Sequence, residues 1–169
     1  HYNEFGQFEG RPTVFGGTAG SDLVVAFGGF DDTVNLIMGV EVEPTTVVEN
    51  GESMARVRPI SFGVGEVDTL VGSVGVEVFT LGTPSSFFPT LLSEPFYVGF
   101  GNADFATINN FEEGEDFIAL VGTASDYSFD TSNGNFNIFF SGDLIGRVEG
   151  VTDLLLFPDI TGSGILLLI

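Results

Sequence analysis

Two pairs of short repeats, built from glycines and acidic residues, constrain the fold of this chain more than any other feature. The first pair occupies residues 17–34 and the second pair residues 63–79. In each unit a glycine-containing stretch precedes an acid, and a large apolar residue follows two positions later, as in Asp68-Thr-Leu70. Glycine permits tight turns, and the apolar residue is placed to enter a core. The pattern predicts short stacked strands separated by tight turns.

The acids within each repeat pair are spaced nine residues apart. Asp68 and Glu77 show this spacing, and so do Asp22 and Asp31. Asp32 fits the repeat better than Asp31 in one respect, because the apolar residue Val34 stands two positions after it. Either Asp31 or Asp32 can therefore be the repeat acid of the second unit in the first pair. Several glycine positions of the ideal unit are filled by other residues, namely Thr18, Phe30, Val64 and Glu66. Ordinary Gly-Asp turns between short strands are the alternative interpretation.

The charge balance is strongly acidic. The chain has 24 acids against four arginines, with no lysine, and a formal charge of −20; the arginines are Arg11, Arg56, Arg58 and Arg147. Nucleic acid and anionic membrane surfaces are therefore not expected as partners, because both repel such a chain. Bound divalent cations would relieve the repulsion between carboxylates, so the composition also favours cation binding.

The 169 residues predict a single all-β domain. Helical periodicity is almost absent, whereas short apolar runs alternate with Gly, Pro, Asn and Asp. No apolar run approaches the roughly 20 residues of a membrane helix, so membrane insertion is not expected. The absence of cysteine excludes disulfides and thiolate metal sites. Because the first residue is His1 rather than Met, we expect a processed product.

Four regions are predicted within the domain 1–169. The repeats span 16–38 and 63–82, an insertion spans 39–62, and a capping β region spans 96–169. In the insertion, Pro44 and Asn50-Gly51 predict turns between strands. Residues 126–151 predict a three-stranded meander, because Asn133-Gly134 between alternating strands is a strong hairpin signal. Two final strands are predicted at 154–157 and 165–169.

The segment 96–122 carries a family resemblance. It reads Phe96-Tyr-Val-Gly-Phe-Gly-Asn-Ala-Asp104-Phe-Ala-Thr-Ile108-Asn-Asn-Phe111-Glu-Glu-Gly-Glu-Asp116-Phe-Ile118-Ala-Leu120. Together with the repeats, it resembles secreted RTX (hemolysin-type) calcium-binding proteins, especially cyanobacterial ones, over roughly residues 16–34 and 63–150. The resemblance implies a calcium-stabilised parallel β-roll, or solenoid-like core, that ends in a C-terminal antiparallel meander. The repeats here are few, and an insertion separates the two pairs.

The expected cofactor is Ca²⁺, bound at one or two sites in the repeat turns. The candidate ligands are the repeat acids Asp22, Asp31, Asp32, Asp68 and Glu77. A second acidic cluster is interpreted as a solvated turn; it contains Asp104, Glu112, Glu113, Glu115 and Asp116. An EF-hand at Asp130–Gly134 is excluded, because its twelfth position is Ser141 rather than Glu.

Catalysis is not expected. The only histidine is His1, so a Ser-His-Asp triad is improbable, and the lack of lysine excludes a P-loop or a Schiff base. A carboxylate-pair glycan hydrolase stays open as the weakest alternative, since 24 acids always contain pairs.

The expected role is structural. The apolar run Ile165–Ile169 should be buried in its own core or in a neighbour, because an exposed uncharged strand would aggregate. We expect a secreted or cell-surface protein that self-assembles by strand addition into a filament or surface layer. The alternative is an adhesin, or a glycan- or surface-binding module serving as the secretion or targeting tail of a larger exoprotein.

Overall fold

The computed structural model describes residues 13–27, 34–49, 52–83, 93–158 and 165–169. These residues form thirteen β-strands and one single-turn 3-10 helix, so the prediction of an all-β fold is confirmed. The strands are β1 (Thr13–Gly17), β2 (Leu23–Val25), β3 (Val34–Glu49), β4 (Glu52–Pro59), β5 (Val67–Val71), β6 (Val76–Thr80), β7 (Phe105–Asn109), β8 (Phe117–Val121), β9 (Tyr127–Ser132), β10 (Asn135–Phe140), β11 (Asp143–Glu149), β12 (Leu156–Phe157) and β13 (Ile165–Leu168). The 3-10 helix, Ala124–Asp126, precedes β9.

The strands are arranged in two mixed sheets. Sheet A has the order β1-β3-β6-β8-β13-β12, and β4 pairs with β3. Sheet B has the order β2-β5-β7-β11-β10-β9. The first four strands of each order are parallel to one another, whereas the remaining strands pair in the antiparallel sense. Along the chain the parallel strands alternate between the sheets, so each passage adds one strand to sheet A and one to sheet B.

The core lies between the sheets and is built from rows of apolar side chains in register. In sheet A, one row comes from β1, β3, β6 and β8 and contains Phe15, Ile37, Phe79 and Ile118, all essentially fully buried. In sheet B, the matching row contains Val24, Leu70, Ile108 and Val148. Three apolar positions of the repeats, Val24, Leu70 and Phe79, are among these residues, whereas the fourth, Val34, is 37% exposed, so the prediction that it enters the core was wrong. The repeats therefore set the core register, because side chains alternate between the two faces of a strand.

The predicted insertion forms the outer part of a long hairpin. Strands β3 and β4 pair from Val42 with Pro59 to Glu49 with Glu52. The prediction of a turn at Pro44 was wrong, since Pro44 lies within β3 opposite Val57. Beyond Glu41, β3 pairs only with β4 among the described residues. A strand with one unpartnered edge tolerates the missing N–H of proline.

The predicted meander is confirmed as β9, β10 and β11. The turn residues Asn133 and Gly134 have φ angles of 55° and 77°. Positive φ at both central residues is the hallmark of the type I′ hairpin turn. The final strand β13 pairs with β8, and Leu166 and Leu168 are buried, so the apolar tail packs within its own domain.

Candidate metal centre

The structure separates the sequence-predicted acids into two groups. Asp22 and Asp68 lie together at the start of the sheet B strands, where Asp68 Oδ1 accepts a 2.7 Å hydrogen bond from the backbone N–H of Asp22. Glu77 lies at the start of β6 in sheet A, next to Asp116. Asp31 and Asp32 fall outside the described residues, so their assignment stays a prediction.

Asp68 is fully buried and both of its carboxylate oxygens are engaged. Oδ1 accepts from Asp22, and Oδ2 accepts a 2.6 Å bond from the hydroxyl of Tyr97. Burial raises the pKa of the Asp68 carboxyl, and these two hydrogen bonds partly oppose that rise. With both oxygens satisfied, Asp68 is held as a structural acceptor in this conformation.

Tyr97 is a residue that the sequence patterns did not single out. It is fully buried with φ at 59°, a left-handed conformation that is unusual for a bulky side chain. A Cβ atom at Gly39 or Gly63 would overlap the Tyr97 side chain, so both positions require glycine. Tyr97 also donates its N–H to the carbonyl of Phe62 at 2.8 Å. It thereby ties segments far apart in the sequence into one cluster.

Two further acids make the same kind of contact as Asp68, in which a carboxylate oxygen accepts a backbone N–H. Asp104 Oδ2 accepts the N–H of Gly65 at 3.1 Å, and Asp143 Oδ2 accepts the N–H of Gly99 at 2.7 Å. Each acid stands at the start of a sheet B strand and accepts a backbone N–H from an earlier turn or strand start, as Asp68 does. Such bonds satisfy donors that would otherwise be unpaired at strand ends. An acid at the start of a strand in this sequence therefore also serves to accept a backbone N–H from a neighbouring segment.

Glu77 carries an unmet hydrogen-bonding capacity. Its Oε1 accepts bonds from Asn35 Nδ2 at 3.0 Å and from the hydroxyl of Ser73 at 2.8 Å. Its Oε2 is buried and has no hydrogen-bond partner among the described residues. Glu77 itself is fully buried, and Asn35 is 1% exposed. An unpaired carboxylate oxygen in such an environment is costly unless a proton or a cation accompanies it.

Asp116 completes this group. Its Oδ1 accepts the N–H of Glu77 at 2.9 Å, and its Oδ2 accepts the N–H of Glu112 at 2.8 Å. Burial raises the pKa of Asp116 to about 7, and the carboxyl of Glu77 contributes to the rise. The interpretation of the second acidic cluster as solvated was right for the exposed side chains Glu112, Glu113 and Glu115 and wrong for Asp104 and Asp116, which are fully buried.

The oxygen-rich group of Asn35, Glu77 and Asp116 has the ligand chemistry that Ca²⁺ prefers. Glu77 Oε2 is without a partner among the described residues, whereas both oxygens of Asp116 already accept backbone N–H groups and Asn35 directs its Nδ2 to Glu77. A calcium ion would therefore share the oxygens of Asp116 with these donors, and backbone carbonyls or water would complete its six to eight oxygen ligands. Across the described ranges, no set of three or more His, Cys, Asp and Glu side chains is arranged as a metal site. Asn35 was not among the predicted ligands, because an amide inside a strand carries no motif.

Compared with protein-family models, curated proteins and solved structures, the chain gives no match. The resemblance to RTX proteins therefore stays a prediction. In the part of the chain that the structure describes, no helix is long and apolar enough to cross a membrane.

Proposed function

We propose that this chain is a non-catalytic, extracellular structural protein that is stabilised by Ca²⁺ and self-associates. One observation carries the calcium assignment: the buried, unpartnered Oε2 of Glu77 lies in a cluster with a second buried carboxylate, Asp116. A divalent cation there would supply the partner that Oε2 lacks. It would also reduce the formal charge of −20, which disfavours the compact state.

A shared proton is the competing partner for the Glu77–Asp116 pair. Burial, with the neighbouring carboxyl of Glu77, raises the pKa of Asp116 to about 7, so Asp116 can hold a proton near neutral pH when no cation is present. Calcium and the proton would then compete for the same oxygens, and metal affinity would rise with pH. Measuring the calcium response at different pH values therefore distinguishes a bound calcium ion from a proton at this site.

The strand arrangement supports a structural role. Four parallel strands in each sheet follow the chain in order, which is the arrangement that a short β-roll would have. Carboxylates at the strand starts hold neighbouring passages together through backbone N–H groups. We interpret the domain as a β-roll of four passages, closed by the β9–β11 meander and by β13.

The test is thermal melting of the full chain with CaCl₂ and in calcium-free buffer at neutral pH, with light scattering on the same samples. A ligand that binds only the folded state raises the melting temperature by mass action. We expect calcium to raise it strongly, and magnesium at equal ionic strength to raise it less. The absence of a calcium-specific shift would remove calcium from the proposal.

Two matched variants locate the site. Asp116→Asn removes one carboxylate of the proposed site but keeps an oxygen that can accept from Glu77. Asp143→Asn makes the same change at a capping aspartate of sheet B, which accepts from Gly99. We expect the calcium response to disappear in Asp116→Asn and to persist in Asp143→Asn. Loss in both variants, or in neither, would contradict the assignment to Glu77 and Asp116.

A further inference from the structure

The outer face of strands β2, β5 and β7 of sheet B differs in charge from the rest of this acidic chain. Side chains alternate along each strand, so the residues next to the buried row Val24, Leu70 and Ile108 point away from the core. These outer positions on β2, β5 and β7 are occupied by Leu23, Val25, Val67, Thr69, Val71, Phe105, Thr107 and Asn109. None of them is acidic, although the chain contains 24 acids.

Part of this face is exposed and apolar. Leu23 is 64% exposed and Val67 is 39% exposed, and the neighbouring outer side chains are half-buried. Leu23 pairs with Thr69, and Thr69 pairs with Thr107, so one row crosses the three strands. Contiguous exposed apolar surface free of like charge is a feature of interaction sites.

Arg147 pairs with Thr107 and extends that row onto β11. The row then continues through Asn137 of β10 to Asp130 of β9, and Glu149 lies on the same face two residues after Arg147. Its guanidinium carbon lies 4.8 Å from the ring centroid of Phe105. Its Nε donates a 2.9 Å hydrogen bond to Asn137 Oδ1. The half-buried guanidinium is thereby fixed in orientation by an aromatic ring and by an amide.

The side chain of Asn137, which accepts the hydrogen bond from Arg147, is itself fixed by hydrogen bonds. Asn137 is 3% exposed, and its Nδ2 donates to Asp130 Oδ1 at 2.7 Å and to Ser132 Oγ at 2.9 Å. Within the described part of the chain, the two Nη groups of Arg147 have neither a hydrogen-bond partner nor a carboxylate partner. A fixed guanidinium with its terminal N–H groups available matches the planar, two-pronged geometry of a carboxylate.

We propose that this face, with Arg147 as its anchor, docks a carboxylate-bearing segment of a second copy of the chain. The proposal rests on the self-association in the proposed function and names its surface. The charge pattern selects the partner: the outer positions of β2, β5 and β7 carry no acid and lie beside one available cation, which complements an acidic surface, and this chain supplies one. The exposed turn with Glu112, Glu113 and Glu115 has no side-chain hydrogen bond or ion pair among the described residues.

The two surfaces consist of different residues. The glutamate turn joins β7, a strand of the Arg147 face, to β8 of sheet A. A contact between two different patches is heterologous, and it generates an open chain of subunits when the rotation does not close. A reciprocal contact, in which the Arg147 of each copy meets the turn of the other, gives a closed dimer instead, and the size of the oligomer distinguishes the two.

The test is sedimentation velocity of the full chain with calcium, from low to high micromolar concentration. We expect wild type to form oligomers that grow with concentration. Arg147→Gln, and the triple change of Glu112, Glu113 and Glu115 to Gln, should each weaken association about tenfold or more. Arg58→Gln is the matched control, because Arg58 already pairs with Glu43 in the same copy, and it should behave as wild type.

Charge reversal gives a sharper form of the experiment. One variant carries Arg147→Glu, and the other carries Glu112→Arg, Glu113→Arg and Glu115→Arg. Each should remain monomeric alone, since its face and turn then carry like charges. An equal mixture should associate, because each face meets a turn of opposite charge. A mixture that stays monomeric, with both variants folded by circular dichroism, would overturn the proposed pairing.

A variant that leaves Arg147 in place covers the case in which its replacement disturbs folding. Thr107→Glu puts a carboxylate on the neighbouring strand of the same row and should block association. If wild type associates and Arg147→Gln and Thr107→Glu associate equally well, this surface is wrong while self-association stands. If wild type is monomeric at every concentration, both this inference and the self-association in the proposed function fail.

Discussion

At the scale of single residues, a carboxylate at the start of a strand has two separable uses in this protein. Asp68 and Asp143 accept backbone N–H groups, which is a purely structural use. Glu77 and Asp116 also lie in contact with each other, and one buried oxygen of Glu77 stays unpartnered among the described residues. Glu66 and Asp104 each also have one buried oxygen without a partner among the described residues, but only Glu77 has a second buried carboxylate bonded to its backbone, and this pair should respond to both pH and calcium.

The Glu77–Asp116 pair predicts a pH dependence of stability in calcium-free buffer. Burial raises the pKa of Asp116 in the folded state to about 7, above its unfolded value. The contribution to the free energy of unfolding is therefore complete below about pH 4 and is lost as pH rises through about 7. Burial also raises the pKa values of Asp68 and Glu66, so both act in the same direction.

Urea unfolding at a series of pH values measures this dependence. Asp116→Asn should flatten the decline between about pH 4 and about pH 7, because it removes the group with the raised pKa. An Asp116→Asn curve parallel to that of wild type would show that other carboxylates cause the decline.

The hydroxyl of Tyr97 should contribute measurably to stability. Tyr97→Phe leaves Asp68 Oδ2 buried without its donor, so we expect a loss of about 1–3 kcal/mol in the free energy of unfolding. Tyr127→Phe is the comparison, since the hydroxyl of Tyr127 is also buried but donates to the neutral carbonyl of Val121. Chemical denaturation of both variants should show the larger loss for Tyr97→Phe; equal losses would contradict a special role for the buried carboxylate.

At the scale of elements, the β3–β4 hairpin is the part least integrated into the sheets. Only Val34–Glu41 of β3 pairs with β1 or β6, whereas the remainder pairs with β4 alone among the described residues. Val57 is buried against the core, whereas the outer side chains whose burial is described, Thr45, Thr46, Val48, Ser53 and Arg56, are not part of the buried core cluster. The outer hairpin should therefore be dispensable for folding.

Replacing residues 45–56 with Asn-Gly tests this expectation. The change keeps Pro44 opposite Val57 and closes the hairpin with a favoured two-residue turn. The melting temperature should change by less than about 4 °C, equivalent to roughly 1 kcal/mol in a domain of this size. Ile37→Ala, in the central core row, is the comparison and should cost about 2–5 kcal/mol. Loss of cooperative unfolding in the shortened chain would show that the hairpin supports the sheets.

The elements predicted best from the sequence are those with local signals. The meander follows from alternating residues around Asn133-Gly134, and the apolar repeat positions Val24 and Leu70 occupy the core as expected. The Tyr97–Asp68 contact was not predictable in this way, since it joins residues 29 apart in sequence and requires glycines elsewhere. Asn35 beside Glu77 was missed for the same reason: strand register, rather than a motif, brings them together.

At the scale of the whole molecule, charge repulsion should make stability depend on ionic strength. With 24 acids against four arginines, added salt screens repulsion between carboxylates whether or not a specific ion binds. NaCl should therefore raise the melting temperature of wild type and of Asp116→Asn by similar amounts. Calcium at low concentration should raise the melting temperature of wild type and leave the melting temperature of Asp116→Asn unchanged. A calcium response that NaCl reproduces fully would indicate screening rather than a site.

The order of the strands has a consequence for how the chain acquires its structure. In both sheets each parallel strand pairs with the one laid down on the preceding passage, so position in space follows position in the chain. A polypeptide that emerges from its N-terminus can then fold progressively, each new strand using the previous one as a template. The β9–β10 hairpin is the exception, since it precedes β11 and then pairs at its outer edge, and β13 adds last to the sheet A edge beside β8. Synthesis and folding can thus proceed in the same direction, and the C-terminal strands terminate the process.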